Sequence, residues 1–337
     1  MVLRAGIVAC LLTVFASGCE RRPSTGSAPQ QPHPASANPA APDTGGLPMR
    51  GAASREVALV PAPSATKSAP STAVTWPSDR IARPVADTGI YPDLDDQVRV
   101  RPPAWLSAGP WTVLESPGTN ARYLVVDGVA VGFAPPDMPT TLRVESLSAW
   151  DRDGDTIPDP LDILLGAKKT VLNGAAYRST YRVIPFPGGD MPRTEGVCTD
   201  VVVRALRNAG IDLQKEISAD AKVRRSAYPG IQKPDRNIDH RRVRNLVPYF
   251  KRYWTSLPVD PKDHSVPWMP GDVVFLDTMN DAQPEHLGIV SDELAASGLP
   301  LIINNWTDGT KTAEMDLLSF VPVRHRFRVP TGELKAR

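Results

Sequence analysis

In "EGVCTDVVVRALRNAGIDL", Glu195 to Leu213, Cys198 is the one cysteine of three that falls beyond the first nineteen residues. A thiol does covalent chemistry when it is placed to ionise and has a base beside it. Val202, Leu206 and Ala209 recur at i, i+4 and i+7, with Val201 and Ala205 widening the apolar face and Gly210 in the position of a left-handed C-cap. This predicts a core-facing helix with Cys198 at or just before its N-cap, where free N–H groups and the positive end of the dipole favour a thiolate. Asp200 counts against that, since its charge raises the cost of a nearby negative sulfur. Further on, "WMPGDVVFLDTMNDAQPEHLGIVSD" predicts a turn at Pro270-Gly271-Asp272, a strand, a polar loop, and a second strand opening on His286. Alternation puts His286, Gly288 and Val290 on one face. A third strand, "PLIINNW", carries Asn304 on one face and Asn305 on the other. Nucleophile, base and orienter therefore follow in the chain order Cys, His, Asn.

Two further segments carry candidate chemistry. The segment "NIDHRRV", with Asn237, Asp239, His240 and Arg241, holds two arginines and a histidine that can bind a carboxylate-rich ligand by charge-assisted hydrogen bonds. The plainer alternative is a helix N-cap at Asp239 with solvated basic residues beyond it. His240 is a rival base to His286, whereas His264 and His325 read as surface residues. In "DRDGDTIPDPLD", Asp151, Asp153, Asp155, Ile157, Asp159 and Asp162 set hard oxygen ligands at the spacing of a calcium loop, with Gly154 at its turn. The spacing resembles the aspartate-rich calcium repeats of thrombospondin type three, and differs from an EF-hand in ending on Asp162 rather than a bidentate Glu. A structural Ca²⁺ is expected; an acidic loop capping the helix that follows is the alternative.

The rest of the chain must position these residues. Arg4, the apolar "GIVACLLTVFA" and small residues before Cys19 predict a secretory signal over 1–18. "FASGC" resembles a bacterial lipobox, with Ala16 where Leu is usual, and implies cleavage before Cys19 and its lipidation. Glu20 after it points to the outer membrane, facing the periplasm. Cys198 would then be the sole free thiol of the exported protein. Residues 19–80, rich in Pro, Ala and Ser, predict a disordered tether. Residues 81–150 predict a small β-rich module or an N-terminal extension packed on the main domain, with a hairpin in "ARYLVVDGVAVGF" around Asp127-Gly128 and a further strand in "TTLRVESL". Its Trp105 and Trp111, with Trp150, are carbohydrate platforms or buried aromatics. The loop occupies 151–162 and the domain carrying the cysteine 163–330.

Net charge is +1 over 337 residues, which gives no reason to expect nucleic acid as a partner. HExxH, CxxC, GxxxxGK[ST] and GxGxxG motifs are absent, so neither zinc nor nucleotide chemistry has sequence support, and no cofactor is expected for catalysis. Nothing in the sequence sets the oligomeric state.

"GVCTDVVVRALRNAGIDL", "PDRNIDHRRVRNL", "PGDVVFLD" and "EHLGIVSD" together resemble the bacterial domain-of-unknown-function family 1287 (DUF1287) over about Asp162 to Arg328. That family is grouped with the NlpC-type papain-like cysteine peptidases. The resemblance implies an α+β fold of the papain-like (NlpC/CHAP) type, its cysteine-bearing helix packed on an antiparallel sheet. It implies Cys198 as nucleophile, His286 as base, and Asn304, or else Asn305, as the third residue. Asp200, Asp239, His240, Arg241 and Asn305 are the candidate substrate contacts. For an exported lipoprotein the natural substrate is an amide bond in peptidoglycan stem peptides. An inactive envelope-binding or structural lipoprotein with the same fold, and acyl transfer on the same site, stay open.

Overall fold

Apolar residues recur with period two in some segments and with helical period in others, and the computed structural model turns the two patterns into sheets and helices. It describes residues 81–82, 91–101, 103, 105, 111–116, 118–147 and 149–330. The expected signal over 1–18, Cys19 and the tether to residue 80 lie outside the described residues.

Strands β1 (Ile81–Ala82) and β2 (Arg99–Val100) pair with each other. Next come β3 (Thr112–Ser116), β4 (Ala121–Val126), β5 (Val129–Phe133) and β6 (Leu142–Arg143), in a sheet ordered β5-β4-β3-β6. The expected hairpin is β4–β5, with Asp127 and Gly128 at φ 47° and 75°, the two positive values a type I′ turn requires. The strand expected in "TTLRVESL" shrinks to the two residues of β6, which runs parallel to β3. Trp150 is buried, and Trp105 and Trp111 are partly so.

Helix α1 (Asp159–Asn173) ends on Gly174 in the left-handed conformation. After it come β7 (Ala176–Tyr177), β8 (Glu195–Gly196), α2 (Cys198–Asn208), α3 (Leu213–Val223) and α4 (Val243–Tyr253). The remaining strands are β9 (Thr255–Leu257), β10 (Val273–Leu276), β11 (His286–Leu294), β12 (Pro300–Asn304), β13 (Ala313–Met315) and β14 (Val323–Arg328). They form one six-stranded sheet, β13-β12-β11-β10-β14-β9, antiparallel throughout. The architecture is α+β.

Period-two alternation gives this sheet two buried faces. Val273, Phe275, Leu287, Ile289 and Ile303 join the core that holds α1, α2 and α4, whereas Val274, Leu276, Val290 and Ile302 pack with Trp268, Leu317 and Val321 on the other side. Leu114 and Tyr123 of the small sheet and Ile157 of the acidic loop belong to the first of these cores. The segment 81–150, expected as a small module or an extension packed on the main domain, and the loop 151–162 share apolar packing with the cysteine-bearing helix.

α1 and α2 meet at Gly166, where a Cβ would lie 2.6 Å from Asn208 Cβ and 2.9 Å from the Ala205 backbone. Asp272, the acid of "PGD", accepts from Arg326 at 2.7 Å and Arg328 at 2.7 Å and so ties the start of β10 to β14. That aspartate is a fold residue, and it fixes the strand next to the one on which His286 sits.

Candidate active site

α2 starts on the cysteine. Val197 is the N-cap residue with extended backbone, Cys198 is the first helical residue, and Gly210 beyond the helix has φ 71°. Arg204, fully buried within α2, pairs with Asp190 at 2.9 Å and donates to the carbonyls of Met191 and Glu195, pinning the segment that leads into the cysteine. Asn305 holds the same approach from the sheet: its Nδ2 donates to the carbonyls of Gly196 at 3.2 Å and Ala175 at 3.1 Å.

His286 opens β11 and Asn304 closes β12. His286 Nε2 and Asn304 Oδ1 are 3.1 Å apart, both residues are buried, and Asn304 Nδ2 donates to the carbonyl of Ile302 at 3.0 Å. That second bond fixes which end of the carboxamide faces the ring, so Nε2 carries the proton and Nδ1 keeps a free lone pair. Gly288 makes the pairing possible, because a Cβ there would lie 2.5 Å from Ile302 Cγ2 and 3.2 Å from Asn304 Cβ. Trp306 meets the His286 ring edge-on at 4.8 Å between centroids. It was not among the expected site residues, although two-residue spacing from Asn304 places it on the same face.

Cys198 belongs to the core beside Leu287 and Ile289. The backbone N–H of Leu287, the residue after His286, acts on its sulfur. Cys198 and His286 share no hydrogen bond. Burial pushes the thiol up to about 12; the N–H groups of Leu287, Thr199 and Cys198 itself pull it down, and Asp200 pushes it up again. Burial likewise holds His286 down to about 4, against the opposing pull of the Asn304 bond. The thiolate expected at the helix start is therefore not the resting state: desolvation outweighs the helix end, and thiol and imidazole both rest neutral. Iodoacetamide is expected to label the folded protein slowly at pH 7, with a rate still climbing past pH 10; a plateau near pH 8.5 would contradict the buried thiol.

A cavity of about 470 Å³ opens on Cys198 and is lined by Tyr177, Tyr181, Arg241, Arg242, Arg244 and Glu285, among others. His286 does not line it, though its neighbours Pro284 and Glu285 do. Arg241, from the 3₁₀ turn Asp239–Arg241, is bound to Asp200 by a two-pronged pair at 2.7 and 2.9 Å, while Arg242 and Arg244 are exposed. Of the expected substrate contacts, Arg241 reaches this cavity and Asp200 is occupied with Arg241 and the Val197 N–H. Asn305 serves the backbone. Asp239 and His240 line a neighbouring cavity of about 620 Å³ instead. Asn237, also there, bonds Ile184 N–H and the Tyr181 hydroxyl. His264 is exposed as expected; His325 is half-buried against Phe275 and Phe327.

The family model described as "Domain of unknown function (DUF1287)" matches residues 164–329. The "Uncharacterized protein YijF" of Escherichia coli (strain K12) is 38% identical over 160 residues, which cover 46% of this chain and 75% of that protein. The chain belongs to the DUF1287 family. The DUF1287 segment holds Cys198, His286, Asn304 and the arginines of the cavity, whereas Asp151, Asp153, Asp155, Asp159 and Asp162 precede it.

His240, held by burial down to about 4, titrates in the same direction as His286. Both folded values lie below the ordinary 6.5, so the unfolded chain binds more protons between them. Their contribution is complete above about pH 6.5 and is lost as pH falls towards 4. Lowering pH from 7 to 5 is expected to remove about 2 kcal/mol per histidine. Urea midpoints of the wild type and His240→Gln check this, the variant showing the shallower fall.

Proposed function

We propose that this DUF1287 protein is a cysteine hydrolase that cleaves amide bonds of peptidoglycan stem peptides, held to the cell envelope by a lipid on Cys19. The observation that carries the reading is the His286–Asn304 pair, its free Nδ1 left available at the end of the strand whose next N–H touches the Cys198 sulfur. In this reading His286 Nδ1 takes the thiol proton as the sulfur adds to the scissile carbonyl, and returns it to the departing amine. Water then attacks the thioester, its proton again passing to His286, and frees the acid and the thiol. In this reading the N–H groups at the start of α2 stabilise the oxyanion formed on attack. Catalytic hydrogen bonds are often long in a free enzyme and close only with substrate bound, which is what the missing Cys198–His286 bond requires here. Arg242 and Arg244 at the cavity mouth suit the free carboxylates of stem peptides.

A second reading is a binding or structural envelope protein with a packed, silent cysteine. The 6% exposure of Cys198 and the absence of His286 from the cavity wall favour it. Slow alkylation at pH 7 is expected under both readings and does not separate them. Digestion of purified peptidoglycan by the wild type and by Cys198→Ala does: new amines and shortened stem peptides from the wild type alone support hydrolysis, and identical product profiles refute it.

A further inference from the structure

The aspartates of the acidic loop are drawn together. Carboxylate oxygens of Asp151, Asp153 and Asp155 lie within 4.8 Å of one another, the span that two ligands about 2.4 Å from a common ion can reach. Asp162 supplies the observation that points to a ligand. It lies on the first turn of α1 and has no solvent exposure. Its Oδ1 accepts from Asn208 Nδ2 at 2.5 Å, whereas its buried Oδ2 has no hydrogen-bond partner among the described residues. Its partner Asn208 lies two residues before Gly210, where a Cβ would come within 3.0 Å of Asp153 Cβ, so Asp162 and the loop aspartates meet at the same end of α2. A buried carboxylate oxygen left bare beside two other carboxylates is costly unless a cation takes it up.

Lys169 favours the Asp162 charge, but it and Arg152 make their direct contacts elsewhere. Arg152 turns to Asp159 and the carbonyl of Pro330, and Lys169 to Asp95 and Asn208. Asp159, expected among the ligands, is thereby engaged by Arg152, and its Oδ1 also accepts the Arg152 N–H at 2.9 Å. Ile157 donates its N–H to Asp155 Oδ1 at 2.7 Å and buries its side chain in the core.

We propose that Asp151, Asp153, Asp155 and Asp162 bind one calcium ion that clamps the loop to the start of α1. Donors that are all carboxylate oxygen select a hard cation over zinc or copper. A set drawn from a loop and a helix suits the irregular, oxygen-rich shell of calcium better than the strict octahedron of magnesium. The site also touches the far end of the cysteine helix. Asn208 donates to the Asp162 carbonyl at 3.1 Å as well as to its carboxylate, and a Cβ on Gly210 would lie 3.0 Å from Asp153 Cβ. Calcium there braces the C-terminal end of α2, and with it the helix that presents Cys198. The inference does not depend on whether Cys198 is catalytic.

Calorimetric titration of CaCl₂ into the chelator-stripped protein is expected to give one site per chain, with a melting temperature raised by roughly 5–10 °C at a hundredfold excess over Kd. Asp162→Asn should weaken binding at least tenfold, yet in chelator it should melt at or above the wild type, because the amide removes a bare buried charge. Asp153→Asn, at a half-buried position, repeats the affinity test should Asp162→Asn fail to fold. No heat and no melting shift at millimolar CaCl₂ would overturn the proposal. So would unchanged calcium affinity in the variants, or an equal response to MgCl₂.

Discussion

Removing Cys198 is expected to lower amide release from peptidoglycan by roughly 10⁴-fold, and removing His286 as well to lower it no further. The non-additivity follows from the proposed mechanism. A base that exists to take one proton from one sulfur has nothing to do once the sulfur is gone, so Cys198→Ala and the double variant with His286→Ala share one residual rate. Asn304→Ala should cost less, since it frees the imidazole to turn without removing it. The acid limb gives an independent check. His286 must be unprotonated to accept the proton, and its folded value is about 4, so kcat/KM should rise through that region and stay level across neutral pH. Timed release of new amino groups from purified sacculi measures all of these. A Cys198→Ala protein retaining more than about a hundredth of the wild-type rate, or a double variant far slower than either single one, would end the proposal that these residues act as one unit.

Much of this site could be read from local pattern, because local pattern decides it. The helix start at Cys198, the left-handed Gly210 after the helix, the Asp127-Gly128 hairpin and the three strands carrying "VVFLD", "HLGIVSD" and "PLIINNW" all follow from periodicity and turn residues within a few positions. The choice between Asn304 and Asn305 does not. Alternation assigns them to opposite faces, but only the sheet shows that one face holds His286 and the other the carbonyl of Gly196. What escaped the sequence is long-range. The partner of Asp200 is 41 residues away, and the thiol's burial is produced by strands almost ninety residues downstream of it. A helix end is visible in a sequence; the desolvation that outweighs it is a property of the assembled core. The short β6 shows the same limit, since "TTLRVESL" has strand-forming residues but only Leu142 and Arg143 find a neighbour in β3.

Asp200→Ala is expected to destabilise the protein by about 3–5 kcal/mol, the usual cost of leaving one member of a buried ion pair alone. Asp200 is 2% exposed and its pair with Arg241 is two-pronged, while Oδ2 also accepts the Val197 N–H at 2.7 Å, so the substitution uncovers a buried guanidinium and a helix-start donor together. Replacing both partners, as in Asp200→Ala with Arg241→Met, should recover much of the loss, because no charge is then left unpaired. Urea midpoints at constant m-value measure this. A single variant within about 1 kcal/mol of wild type, or a double variant as unstable as the sum, would show that the pair is not what holds the segment. The same substitution should act oppositely on the thiol. With the carboxylate gone and Arg241 uncompensated, the field at Cys198 favours the thiolate, and alkylation at a fixed alkaline pH should speed up relative to wild type. Stability falling while thiol reactivity rises is the signature of a residue that positions the cysteine helix through Arg241 and opposes ionisation of the sulfur beside it. A residue serving the sulfur alone would move only the second of these.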